Sequence, residues 1–394
     1  MQKIDFQKIS RLNSKIILFG SGNIADKTIR KICPEKIECI VDNSNSLQGT
    51  VYKGFDVKSP SEVCYKDRYV LICSTAIDEI KKQLNSFGLN EDIDFSPSPL
   101  LNDLIAISEL ERVSSRLYFT SGTSSTSDDD FGGGLYECKI EGDVHKLTKL
   151  YSGPCYGLTR VKDELYFIDT DSGIFKLFNN NISKVCDLPK GGRAHGISYN
   201  ESNNNFYVTF SYRDSVIEYD KNFNSIREFS LSTKYKKIGE PMHHCNDNYS
   251  YGSSLFVSMF SSTGNWKMDR FDGCIAEFDL DTGDRLKDLT SDLYMPHNVM
   301  VIDGSLHVLD SLPGHLKYGN LSIAGTFPAF TRGLSFSNGY YYLGQSKNRN
   351  YSRVIGLSNN ISIDCGIVIF DPILKVSRFI SFPKAIGEIH SIVH

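Results

Sequence analysis

Apolar positions follow two different periods along the chain. In residues 15–95, short runs of β-type residues alternate with stretches of helical spacing. Lys15-Ile16-Ile17-Leu18-Phe19 leads through Gly20-Ser21-Gly22-Asn23-Ile24-Ala25 into a helical stretch that reaches about Cys33. Ile37-Glu38-Cys39-Ile40-Val41-Asp42 reads as a second strand and Tyr69-Val70-Leu71-Ile72-Cys73 as a later one, followed by helical spacing from Ile77 to Leu84. Strands separated by helices predict βαβ units and a parallel α/β sheet. Phe95-Ser96-Pro97-Ser98-Pro99 breaks that pattern, because proline removes a backbone donor and clashes with a preceding helical turn. A short amphipathic helix is predicted over 100–112. The expected organisation is an α/β domain over 1–97, a linker helix over 98–114 and an all-β domain over 115–394.

The second region repeats itself. A polar or aromatic residue, a small residue and an aliphatic one recur as Tyr156-Gly157-Leu158, His195-Gly196-Ile197, His244-Cys245-Asn246, His297-Asn298-Val299, Arg332-Gly333-Leu334 and His390-Ser391-Ile392. A second strand follows most of these, then a third such as Ser215-Val216-Ile217-Glu218-Tyr219 and a fourth such as Lys375-Val376-Ser377-Arg378-Phe379-Ile380. Four short strands per unit, repeated at roughly 40–50 residues, predict the blades of a β-propeller. The last unit has a first strand with nothing after it, whereas Leu117-Tyr118-Phe119-Thr120 is a second strand with no first. The C-terminal strand is therefore expected to complete the blade begun at 115, which closes six blades and leaves no open edge.

Composition adds limits. The 394 residues are 40% hydrophobic and 23% charged, with a net charge of −4. That is a folded, globular balance, and the lack of a basic excess argues against nucleic acid as a partner. No apolar run is long enough to predict a membrane-spanning helix, and the N-terminus does not read as a signal peptide. The ten cysteines include no CxxC spacing and mostly sit in apolar runs, so buried reduced thiols in a cytoplasmic protein are expected. The 21 Tyr, 24 Phe and 31 Gly suit many short strands and tight turns. Homo-oligomerisation stays open.

Two sets of residues carry candidate chemistry. In the first region, Gly20-x-Gly22-x-x-Ala25 lies between a strand and a helix, and Asp42 ends the next strand. Glycines there allow a tight turn and close approach of a pyrophosphate, the small third residue permits helix–strand packing, and the acid can accept from a ribose diol. Gly20, Gly22, Ala25 and Asp42 are thus candidate contacts to NAD or another nucleotide. A packing module without a ligand is the competing reading. The stretch resembles the small Rossmann-like domains attached to bacterial sugar-modifying and polysaccharide-biosynthesis enzymes. Ile17-Leu18-Phe19-Gly20-Ser21-Gly22, Val41-Asp42-Asn43 and Gly54-Phe55-Asp56-Val57-Lys58-Ser59-Pro60-Ser61-Glu62 carry that resemblance, which implies a nucleotide or sugar-nucleotide context.

In the second region the histidines are unevenly placed. His195, His244, His297 and His390 are each read as opening the first strand of a blade, and first strands line the central channel of a propeller. They form a candidate site for a divalent metal such as zinc. Tyr156 and Arg332 take the same place in other blades, with Arg332 suited to an anionic substrate group. Glu240 and Glu388, in loops leading to these strands, are candidates for a general base. Structural hydrogen bonding by the histidines, and metal-free ligand binding, remain alternatives. Asp128-Asp129-Asp130 with the following glycines suggests a solvated hairpin over a calcium loop, and a nucleophilic role for the Cys245 thiol has little support. Residues 328–392 resemble an uncharacterised bacterial propeller family through Thr331-Arg332-Gly333-Leu334-Ser335-Phe336, Leu343-Gly344-Gln345-Ser346, Cys365-Gly366-Ile367-Val368-Ile369-Phe370 and Gly387-Glu388-Ile389-His390; the resemblance implies the fold and no activity. The combined expectation is a sugar or sugar-nucleotide modifying enzyme of bacterial surface-polysaccharide biosynthesis. A non-catalytic glycan- or protein-binding propeller and an NAD-dependent sugar oxidoreductase or epimerase are the alternatives.

Overall fold

A computed structural model describes residues 5–122, 131–232, 238–268, 270–347 and 360–394. The Asp128-Asp129-Asp130 run lies outside them. The chain forms two compact units, 1–109 and 110–394.

The first unit is built on a six-stranded mixed sheet. Helix α1 (Phe6–Arg11) precedes β1 (Lys15–Phe19), α2 (Asn23–Ile29), β2 (Ile37–Val41), β3 (Val51–Tyr52), β4 (Phe55–Lys58), β5 (Arg68–Ile72), α3 (Ile77–Ser86) and β6 (Phe95–Pro97), and α4 (Asn102–Glu111) follows. The strand order is β3-β4-β2-β1-β5-β6. Strand β1 pairs in parallel with β2 and β5, whereas β3 and β4 are antiparallel. The expected all-parallel Rossmann-like sheet is therefore corrected to a small mixed sheet with few helices. The cause lies between β2 and β5. Lys53 and Gly54 both take positive φ, 54° and 88°, and turn the chain into a two-residue hairpin that puts an antiparallel pair at the sheet edge. The proline-rich break is also structured: Pro97 ends edge strand β6, where its missing N–H costs no ladder bond.

The second unit is a propeller of six four-stranded antiparallel sheets. Five blades are contiguous in sequence. The sixth joins Ile392–Val393 to Ser114–Ser121, Gly134–Glu141 and Val144–Ser152, with Ile392 opposite Phe119 and Val393 opposite Tyr118. The C-terminal strand thus closes the ring as the repeats predict. Successive residues of the inner strands are buried, as from Phe206 to Phe210, because each strand face packs on a neighbouring blade. Among the described residues, no helix is long and apolar enough to cross a membrane.

Candidate functional site

Ladder register fixes which residues reach the channel. Cys155, Ala194, Cys245 and Pro296 each pair with the last residue of the following strand (Asp169, Phe210, Met259 and Asp310), and a bulge follows in each case. The next residue in each blade is Tyr156, His195, Asn246 or His297. Asn246, not His244, is thus the counterpart of His195 and His297. His244 stands two positions earlier, where the neighbouring blades carry Arg193 and Met295, and all three have left-handed φ (52°, 48° and 57°). The frame slipped in the sequence because Asp247 and Asn248 replace the small-then-aliphatic pair seen in Gly196-Ile197.

Residues at these two positions meet in a cavity of about 210 Å³ at one end of the channel. Arg193, His244, Met295 and Phe330 line it from the earlier position. His195, Asn246, His297, Arg332 and His390 line it from the later one, and Phe260 and Trp266 add an aromatic wall. The His195 ring centre is 6.0 Å from that of His297 and 5.4 Å from that of His390. Tyr156 packs its ring 4.0 Å from His390 and its hydroxyl accepts from Arg193 Nη2 at 3.0 Å. The backbone approaches closely here: a Cβ on Gly122 would stand 2.8 Å from His390 Nε2 and 2.6 Å from the Tyr156 ring.

The leading loop that carries His244 is pinned by Asp214. Its carboxylate accepts from the backbone N–H groups of Met242, His243 and His244 at 2.6, 3.0 and 3.0 Å. Such charge-assisted bonds hold a residue in a conformation that is otherwise unfavourable.

Burial controls the charge of the imidazoles. It pushes His244 down to about 3 and His390 down to about 4, and it lowers His195 and His297 as well. Nearby guanidinium charge on Arg332 acts in the same direction at all four. These rings are therefore neutral at pH 7. Behind His195, Asp247 Oδ1 stands 3.5 Å from Nδ1, and Oδ2 accepts the Asn298 N–H at 3.0 Å. Glu388 accepts from Arg332 Nη1 at 2.8 Å and stands 3.6 Å from His390 Nε2. Several buried polar atoms have no hydrogen-bond partner among the described residues: Nδ1 of His244, both ring nitrogens of His390 and Oδ1 of Asn246. Each costs about 1–3 kcal/mol if left unmet, so the cavity is built for a polar occupant.

Among the described residues, no three His, Cys, Asp or Glu side chains are arranged to hold a metal ion. The four histidines expected as ligands are spread over two positions of the blades, and the His297 Nδ1 is already engaged by Met295 O and Ser311 Oγ. The residues present do not fit a zinc-type site. Glu240 is also misplaced as a base. It is exposed, paired with Lys267 at 2.7 Å, and does not line the cavity. Arg332 lines the cavity, whereas Glu388 and Tyr156 stand behind it, bonded to Arg332 and to Arg193 respectively. Arg193, Asn246, Asp247 and Trp266 were missed. Arg193 precedes His195 by the spacing that separates His244 from Asn246, and that offset was the available signal.

In the first unit, a Cβ on Gly20 (φ 106°) would stand 3.1 Å from the Cys73 carbonyl, so this glycine serves close packing against β5. Gly22 precedes α2 and Ala25 is buried within it. The Asp42 carboxylate accepts from Ser21 N and Oγ at 2.9 and 2.7 Å and from Ser44 N at 2.9 Å. It latches the glycine loop, with three of its about four acceptor sites used locally. The thiols are unpaired, with Cys33 and Cys64 exposed and Cys245 fully buried and raised by that burial.

Residues 12–93 match a family described as C2185-like, N-terminal. No curated protein sequence matches the chain. Among solved structures, a chain of a nidogen/laminin complex aligns over 71% of this chain and 97% of its own, at 12% identity and a TM-score of 0.51. A gluconolactonase from Xanthomonas campestris aligns over 69% and 87%, at 12% identity and a TM-score of 0.46. Virginiamycin B lyase from Staphylococcus aureus aligns over 71% and 92%, at 12% identity and a TM-score of 0.42. At such low identity, the likeness to the nidogen/laminin chain shows the propeller fold and nothing further.

Proposed function

We propose that the propeller is an enzyme that moves a proton on a small carbohydrate bound in the channel cavity. The observation that carries this reading is the set of neutral, buried imidazoles beside unpaired polar atoms. A cavity of about 210 Å³ is below the usual range for drug-sized ligands and suits a single sugar unit. Phe260, Trp266 and Phe330 offer apolar surface to the carbon face of a sugar ring, while Asn246 and the histidines meet its hydroxyls.

His390 is the base in this reading. Glu388 favours the proton on Nε2 and leaves the Nδ1 lone pair for the substrate. Nδ1 takes a proton from the carbon beside a carbonyl, and the electron pair of that C–H bond moves into the carbonyl to give an enolate. Arg332 stabilises the oxyanion, and the unmet Asn246 Oδ1 accepts from a substrate hydroxyl. Protonation of the enolate carbon by water from the other face, with the proton on His390 passing to solvent, gives epimerisation; loss of a β-substituent that takes up that proton gives elimination.

Incubation with a mixture of monosaccharides and sugar acids in D₂O tests this. The expected result is deuterium uptake at, or conversion of, one component by the wild type, with at least about a 100-fold loss in His390→Gln. Glu240→Gln should leave the rate unchanged. Equal turnover by His390→Gln, or no turnover of any component, contradicts the reading.

A further inference from the structure

We infer that the ligand of this cavity carries a single carboxylate, seated on the guanidinium of Arg193. The inference rests on the cavity being a substrate site and adds the chemical class of what enters it.

Two guanidinium groups line the cavity, and they differ in how their charge is met. Arg332 is paired with Glu388 at 2.8 Å, and both side chains are nearly buried. Its charge is matched within the protein. Arg193 has no carboxylate within ion-pair distance among the described residues. It is held by two phenols instead: Nη1 donates to Tyr212 Oη at 2.9 Å and Nη2 to Tyr156 Oη at 3.0 Å. Its plane lies over both rings, at 5.5 Å from Tyr156 and 5.2 Å from Tyr212. Tyrosines orient a guanidinium without neutralising it. Asp247, the other nearby acid, lies behind His195 and lines a separate cavity in the channel.

Two of the five guanidinium N–H groups are used by the phenols, so three remain, enough for the parallel pair of bonds that a carboxylate accepts. Arg193 also takes a left-handed φ of 48°, an unfavourable conformation for a side chain of this type that aims it at the cavity. One unmatched positive charge calls for one negative charge. A phosphate dianion would bring a second negative charge, and the neutral histidines are too reluctant to take protons to balance it.

Trp266 is the sole tryptophan of the chain and lines the same cavity, with its ring centre 4.5 Å from that of His244. Its fluorescence reports occupancy directly. Titration of the full chain with D-glucuronate, D-galacturonate, acetate, D-glucose, D-galactose and D-glucose 6-phosphate tests the inference. A saturable response to acetate and to a uronate is expected, with the uronate at least about tenfold tighter than its neutral parent. Arg193→Gln should weaken carboxylate binding at least about tenfold, and Arg193→Lys, which keeps the charge and loses the fork, should fall between. Where Arg193→Gln melts abnormally, the lysine variant decides. Carboxylates that bind no better than neutral sugars, tighter binding of the phosphate, unchanged binding in the variants, or no response to any carboxylate overturns the inference. Acetate binding through Arg193 without any sugar binding keeps the carboxylate assignment and removes the carbohydrate reading. Neutral sugars bound as tightly as uronates do the reverse.

Discussion

Burial of His195, His244, His297 and His390 stores a dependence of stability on pH. The folded chain holds these imidazoles neutral, with His390 down to about 4 and His244 down to about 3. In the unfolded chain they take protons as pH falls through about 6.5. The stability that each neutral ring contributes is thus fully present above that value and is lost as pH falls toward about 4, at up to about 1.4 kcal/mol per pH unit for each ring. The melting temperature should drop between about pH 7.5 and pH 5, and the drop should be shallower in His244→Phe. A flat profile would contradict neutral burial. A second residue-scale test uses Gly122, whose missing Cβ leaves room for Tyr156 and His390. Gly122→Ala should displace those rings and reduce turnover more than it reduces melting temperature. Circular dichroism melts beside the deuterium-uptake rate check this.

At the scale of elements, the leading loops place Arg193, His244 and Met295 in the cavity lining. Asp214 holds one of them through three backbone N–H bonds, and it is fully buried. Asp214→Ala leaves those donors unmet and should lower stability by about 2–4 kcal/mol, measured by urea denaturation, while Asp214→Asn retains part of the loss because its amide oxygen still accepts. An unchanged midpoint for Asp214→Ala would show that the loop is held by other contacts. The strands themselves were readable in the sequence, since their alternation and turn residues are local signals. Closure by Ile392–Val393 was readable too, from an orphan first strand at one end and an orphan second strand at the other. The helix-poor first unit was not, because the Lys53-Gly54 hairpin occupies a stretch whose flanking strands look like those of a parallel sheet. The Asn246 position was hidden for a different reason. Which residue of a first strand faces the channel depends on a bulge, and a bulge moves the frame without leaving a fixed residue type.

Over the whole molecule, the cavity and ring closure meet at the C-terminus, where His390 precedes the closing strand Ile392–Val393. His390 and Ile392 are two residues apart; one lines the cavity and the other packs against Phe119 and Ile389 in the closing blade. Ile392→Asp buries a charge in that core and exposes a strand edge, so it should open the ring, lower the melting temperature and promote association, visible by light scattering. What the cavity binds decides what the propeller does. The most direct measurement is calorimetric titration of the wild type, Asn246→Ala and His390→Gln with a panel of neutral and acidic monosaccharides. The predicted result is saturable binding of at least one sugar to the wild type and at least about tenfold weaker binding in both variants. Binding that both variants leave unchanged, or no sugar binding by the wild type, would contradict it.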